Sequence, residues 1–317
     1  MADSARPATS IVHAPPPAAR GPALRARSLL AAMRPHQYVK NLIVFAPAMF
    51  AQRFDPTTVL LAGAAFLCFC AVSSAAYLVN DAIDAPADRA HPVKRARPIA
   101  SGLVPVPVAL AAAVVLATSG LAAGFALRTG LGLALVGYVV LQAGYNVRLK
   151  REPILDVMCV ALGFVIRALG ASAATGIVLS SWFLLCVALL ALYLAIEKRK
   201  SELERSGPST RVVLRAYTVP WLSRMESVVA ATALMSYSLW AAQRTPDHTM
   251  LATVPIVAYV LFRYQMLSES GSAEAPDVVM MRSPHIVGAA GTWAALSIAV
   301  LLLHSHGAHL LLCASEC

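Results

Sequence analysis

The stretch Tyr77–Gly102, YLVNDAIDAPADRAHPVKRARPIASG, holds residues whose types and spacing could do chemistry. Asn80, Asp84 and Asp88 recur every four positions, and Asp81 sits beside the first. On a helix this spacing puts side chains on one face. Carboxylates gathered there repel one another unless a cation lies between them. Hard oxygen donors of this kind suit Mg²⁺, which is commonly held by one or two carboxylates together with substrate phosphates. Asn80, Asp81, Asp84 and Asp88 are therefore the expected metal ligands. Pro86 lies between the last two, and proline interrupts a helix. The shared face is thus expected for Asn80 and Asp84 but not for Asp88. Lys94, Arg95 and Arg97 follow closely. A metal-bound diphosphate needs this pairing, since carboxylates hold the metal and cations hold the phosphate oxygens. The plainer alternative is a solvated acidic helix end followed by basic residues that only set topology.

The elements that position these residues follow from composition. The chain has 317 residues, 58% hydrophobic and 13% charged, with a mean hydropathy of +0.67. A soluble domain carries about 25% charged residues. The balance excludes an ordinary globular enzyme and a disordered chain, and points to a polytopic membrane protein. In such a chain the net charge of +10 fixes topology first, so nucleic acid is not an expected partner. Backbone groups find no water in lipid, so the fold class is all-α, a bundle of about nine transmembrane helices. Apolar runs place them near 37–53, 57–80, 104–126, 130–147, 154–175, 180–197, 224–243, 249–267 and 284–304. The first is short for a span and contains Pro47. It must still cross, because the basic residues before it and those of loop 81–103 both belong on the cytoplasmic side. Of the remaining basic residues Arg53, Arg128 and Arg244 fall outside, and Arg167 lies within a span. Residues 1–30 read as a disordered cytoplasmic arm without the apolar core of a signal peptide. Residues 31–305 read as the catalytic domain and 306–317 as a short outer tail.

Other residues join the candidates. Tyr145 and Lys150 close the fourth span, spaced so that a hydroxyl and an ammonium could reach one cavity. A tyrosine at the membrane interface is an equally good reading. Arg167, deep in the fifth span, reads as a structural partner within the bundle. Tyr217, Arg224, Glu226, Arg263 and Tyr264 flank later spans. The HSHGAH tract at 304–309 lacks acidic support and reads as incidental. Cys68, Cys70, Cys159 and Cys186 lie in apolar runs as packing residues; the six cysteines form no framework, and a Cys313–Cys317 disulfide is the alternative for the last two.

The NDxxDxxxD pattern at a cytoplasmic helix end resembles the first Asp-rich motif of the UbiA superfamily of intramembrane prenyltransferases. RPHQYVKNLIVFAPAMFA (34–51), HPVKRARPIASG (91–102), WFLLCVALLALYLAIEKRKSELE (182–204) and PDVVMMRSP (276–284) are similar to its decaprenyl-phosphate phosphoribosyltransferase branch. The resemblance covers about residues 30–305. It implies a lysine facing the polar cavity at the position of Lys40, and a bacterial plasma-membrane enzyme with its site at the cytoplasmic face. Aromatic prenyltransferases of the superfamily carry a second DxxxD motif near the end of the sixth span. Here that slot reads Ile196–Glu204, IEKRKSELE, with three adjacent cations. A second Mg²⁺–diphosphate site would tolerate them poorly, whereas a sugar phosphate or lipid phosphate would not.

The expected enzyme is therefore a Mg²⁺-dependent phosphoribosyltransferase acting on phosphoribosyl diphosphate and a polyprenyl phosphate. Asp81, Asp84 and Lys40 would be catalytic. Lys94, Arg95 and Arg97 would bind the leaving diphosphate. Lys198, Arg199 and Glu202, with Tyr145 and Lys150, would complete the substrate site. The membrane is an expected partner, and a homo-oligomer is compatible with the sequence. The rival readings are a UbiA-type prenyl transfer to an aromatic acceptor and a transporter of phosphorylated lipid.

Overall fold

The computed structural model describes residues 22–208, 211–269 and 283–315, with the backbone alone at 22–23, 206 and 305–315. Among these residues the chain is wholly helical. Its α-helices are α1 (Pro22–Met33), α2 (Ala46–Phe50), α3 (Pro56–Ala90), α4 (Val106–Leu127), α5 (Thr129–Val147), α6 (Leu155–Thr175), α7 (Ser181–Ser206), α8 (Val219–Arg244), α9 (Val254–Glu269) and α10 (Pro284–Ser315). Short 3₁₀ turns join several of them, and one long 3₁₀ helix runs Pro35–Phe45. Seven of the described helical segments, α3 to α7, α9 together with the 3₁₀ turn Thr249–Thr253 before it, and α10, are long and apolar enough to cross a membrane. The chain is thus an integral membrane protein. The 26-residue α8 has the length but carries Arg224 and Glu226 among several hydroxyl residues.

The expected first span resolves into the 11-residue 3₁₀ helix followed by the five-residue α2. At about 2.0 Å per residue in a 3₁₀ helix, against 1.5 Å in an α-helix, the two reach about 30 Å, roughly the hydrocarbon thickness. Three residues per turn also explains the pattern. Tyr38, Asn41 and Val44 fall on one stripe. Tyr38 Oη meets Ser74 Oγ at 2.8 Å, the Asn41 amide donates to Ser73 at 3.3 Å, and Val44 is fully buried against Phe69 and Tyr138. Lys40, Ile43 and Ala46 fall on another stripe.

The bundle packs on small residues, as helices in lipid do. A methyl group on Gly170 would meet the Phe69 ring at 2.7 Å, and one on Gly124 would meet Leu135 at 2.3 Å. Caps set the ends: Asp55 accepts from Thr58 N at the start of α3, and Ser180 from Phe183 N at the start of α7.

Three expectations change. The arm expected at 1–30 is helical from Pro22; residues 1–21 lie outside the described ones, as does most of the PDVVMMRSP stretch. The tail expected at 306–317 continues α10 to Ser315. Pro86 does not end α3, which continues to Ala90. Asp88 therefore keeps its helical relation to Asp84.

Candidate active site

A polar cavity of 410 Å³ opens at the end of the bundle where α3 finishes. Of the residues expected from sequence, it brings together Asn80, Asp84, Asp88, Lys94, Arg97, Tyr145 and Lys150. It adds Arg34, Asn146, Arg151, Arg211 and Arg215. Asn80, Asp84 and Asp88 reach it because α3 keeps one face across Pro86. Lys94 and Arg97 reach it because the loop after α3 folds back in a 3₁₀ turn, Lys94–Ala96.

The carboxylates divide into two groups. On the cavity side, Lys150 Nζ donates to Asn80 Oδ1 at 3.2 Å and to both Asp84 oxygens, at 2.8 and 3.0 Å. These oxygens converge on one point, and a cation occupies it. Beside this group on α3, Asp81 is buried beneath the cavity wall, 2% exposed. It accepts from Arg34 Nη2 at 2.7 and 2.9 Å and from Arg97 Nη1 at 3.2 Å. Arg97 Nη1 also donates to Asp88 at 2.7 Å. Asp81 is thus a buttress behind two cavity arginines rather than a lining residue. Among the described residues no three His, Cys, Asp or Glu side chains gather as a ready-made metal site. Asn80 and Asp84 do offer the one-carboxylate oxygen set that Mg²⁺ takes when phosphates supply the rest.

The basic residues sort differently from expectation. Lys94 sits half-buried near Arg211 and Arg97; burial first, then these two cations, push its ammonium below the ordinary lysine range. Arg95 is exposed outside the cavity. Arg199 is 3% exposed and wholly engaged. It donates to Asp156 at 2.6 Å, to Glu202 at 2.7 Å and to Tyr145 at 3.3 Å. Glu202 also meets Arg211 at 3.2 Å. Lys200 is buried between Glu226 (2.8 Å) and Glu197 (3.3 Å). Among the described residues Lys198 alone of the Lys198–Lys200 run makes no close ion pair. It shares its electrostatic surroundings with Lys40, Glu202 and Arg211. Lys40, Lys198, Arg199 and Glu202 do not line the polar cavity.

Sequence reading missed Arg34, Arg151, Arg211 and Arg215. Arg34 had a signal, since it opens the quoted 34–51 stretch. Arg211 and Arg215 lay in a long loop where basic residues are ordinary. Arg167 is buried and hydrogen-bonded within the bundle. It donates to Asn41 Oδ1 at 2.6 Å, Gly163 O at 2.9 Å and Tyr138 Oη at 2.8 Å.

Two apolar hollows lie alongside. One, of 370 Å³, is walled by Ile43, Ala46, Phe50, Leu190, Trp240 and Trp293 among others. The other, of 290 Å³, lies between α7, α9 and α10. They share Leu190, Tyr237 and Trp293. The stripe that walls the first hollow at Ile43 and Ala46 begins at Lys40, and α7 carries Lys198 two turns beyond Leu190.

The chain is similar to several curated proteins named decaprenyl-phosphate phosphoribosyltransferase. That of Corynebacterium glutamicum is 38% identical over 270 residues, 81% of this chain and 81% of the relative. That of Mycobacterium tuberculosis is 36% identical over 271 residues, 82% of this chain and 90% of the relative. Among solved structures, a UbiA homolog from Archaeoglobus fulgidus bound to DMAPP and Mg²⁺ superposes with a TM-score of 0.69 at 17% identity. The match covers 86% of this chain and 98% of that one. Residues 41–285 match the UbiA prenyltransferase family. With most of its length aligned and its acidic helix end facing a basic cavity inside the same bundle, the chain belongs to the UbiA prenyltransferase family.

Proposed function

We propose that this protein transfers 5-phosphoribose from phosphoribosyl diphosphate to a polyprenyl phosphate, in the synthesis of a lipid-linked cell-wall sugar precursor. The observation that carries the reading is the mixed cavity: Asn80, Asp84 and Asp88 on one wall, with Lys94, Arg97 and Lys150 beside them and further arginines around the rim. The names of the relatives point the same way. We place the cavity at the cytoplasmic face of the plasma membrane, a reading that the positive-inside distribution of Lys and Arg supports.

Mg²⁺ held by Asn80 and Asp84 would neutralise the diphosphate and improve it as a leaving group. Lys150 would release those oxygens and turn to the phosphates. Lys94 and Arg97 take up the charge that develops as the bond from ribose C1 to the diphosphate oxygen breaks. An acceptor phosphate oxygen bonds to C1, and diphosphate leaves. The acceptor is already ionised near neutral pH, so no general base is required. Lys40 lies one 3₁₀ turn before Ile43 and Lys198 two turns beyond Leu190, so they would hold the lipid phosphate while the tail lies along Ile43, Leu190 and Trp293.

The rival prenyl-transfer reading needs a second set of open carboxylates near the end of α7. There Glu202 is bound by two arginines, and Glu197 is buried against Lys200, which favours the sugar donor. Donor competition tests it. With Mg²⁺, phosphoribosyl diphosphate should raise the unfolding temperature and support transfer to polyprenyl phosphate. Protection and turnover by a prenyl diphosphate alone would overturn the proposal.

A further inference from the structure

We propose that Arg151, Arg211 and Arg215 form a second phosphate subsite, for the monoester phosphate of the sugar donor, and that Tyr217 is the positioning residue that keeps its two halves in register. The inference rests on the phosphoribosyl reading above and deepens it.

Charge is the first ground. Around the cavity, Arg34 and Arg97 are neutralised by Asp81 and Asp88, and Lys150 by Asp84. Arg211 has only a share of Glu202, at 3.2 Å, because Arg199 holds the same oxygen at 2.7 Å. Among the described residues no carboxylate pairs with Arg151 or Arg215. This rim therefore carries surplus positive charge after the diphosphate wall is accounted for. A prenyl diphosphate has no phosphate beyond its diphosphate to place there. A phosphorylated sugar diphosphate does, and guanidinium forks match its terminal oxygens.

The second ground is how the rim is built. Arg151 ends the 3₁₀ turn after α5, while Arg211 and Arg215 flank and enter the turn Val212–Ala216 before α8. Three residues beyond Arg151, Ile154 takes φ 70° and ψ −48°, and Leu155 N donates to Pro153 O at 2.8 Å. This is the classic form of the γ-turn by its angles, a rare and strained one, and a β-branched residue fits it badly. Such strain persists only where the surroundings over-determine it. Here Tyr217 Oη accepts from Ile154 N at 2.6 Å and donates to Asp156 Oδ1 at 2.6 Å. Asp156 Oδ2 in turn accepts from Arg199 Nε at 2.6 Å. Tyr217 thus ties the segment bearing Arg211 and Arg215 to the one bearing Arg151.

The test compares phosphoribosyl diphosphate with inorganic pyrophosphate, which lacks the monoester, on the full chain with Mg²⁺. Arg211→Gln and the exposed Arg215→Gln should each weaken phosphoribosyl diphosphate about tenfold, the worth of one charged hydrogen bond. Pyrophosphate affinity, which also reports that each variant is folded, should stay within about threefold. Tyr217→Phe should raise the KM for the sugar donor with little change in kcat or acceptor KM. Adding Ile154→Gly, which adopts the turn without strain, should restore most of the loss. Equal weakening of both ligands, or a Tyr217→Phe defect confined to kcat or left unrescued by glycine, would overturn the subsite. If the unaltered protein bound pyrophosphate but not phosphoribosyl diphosphate, the underlying reading would fail instead.

Discussion

The ammonium of Lys150 lies 2.8 Å from an Asp84 carboxylate oxygen, although 66 positions separate the two residues in the chain. It occupies the point on which Asn80 and Asp84 converge, so a divalent ion and Lys150 compete for the same oxygens. Lys150→Met is expected to tighten Mn²⁺ binding in the absence of donor, read by Mn²⁺ EPR. It should also weaken phosphoribosyl diphosphate, because the phosphates lose a cation. Asp84→Asn should lower kcat/KM by about a hundredfold or more, the scale for losing one electrostatic element of a site.

Lys94 supplies a pH dependence with a definite sign. Its ammonium titrates below the ordinary lysine range, because of burial and then Arg211 and Arg97. A bound diphosphate favours the charged form and draws the proton back. Donor affinity should therefore fall as pH rises through the depressed value, and binding above it should take up protons. Lys94→Arg should abolish this alkaline limb in a series of Kd measurements. In the free protein the sign reverses for stability. Between the depressed value and the unfolded lysine value the unfolded chain binds more protons, so Lys94 contributes stability that increases with pH there.

Lys200 stands between Glu197 and Glu226, both fully buried at the side chain. Lys200→Met leaves two carboxylates facing each other without a cation and should cost about 3–5 kcal/mol. A drop in the thermal midpoint would register it. Donor affinity of the folded fraction should change little, since none of the three lines the polar cavity. A selective loss of donor affinity would refute this assignment.

Arg167 anchors the long 3₁₀ helix through Asn41. Arg167→Lys keeps the charge but cannot serve Asn41, Gly163 and Tyr138 at once. It should cost about 1–3 kcal/mol through acceptors left unsatisfied. Because Lys40 shares that helix, acceptor KM should rise more than donor KM in steady-state assays.

The sequence by itself determined the membrane class and most of the apolar spans, because hydropathy is a local property. It also placed Asn80 and Asp84 together, since their spacing is a helical repeat. Tertiary structure decided which charges remain for a ligand. Asp81 and Arg199 look like site residues by type and position. Yet each is enclosed by partners far along the chain: Arg34 for Asp81, Asp156 for Arg199. The continuation of α3 through Pro86 and the 3₁₀ winding of Pro35–Phe45 were likewise settled by packing. Intrinsic helix preference yields to neighbouring helices that satisfy the backbone and side chains. Arg211 and Arg215 reach the cavity for the same reason: a loop acquires a position only when something distant, here Tyr217 against Ile154, holds it there.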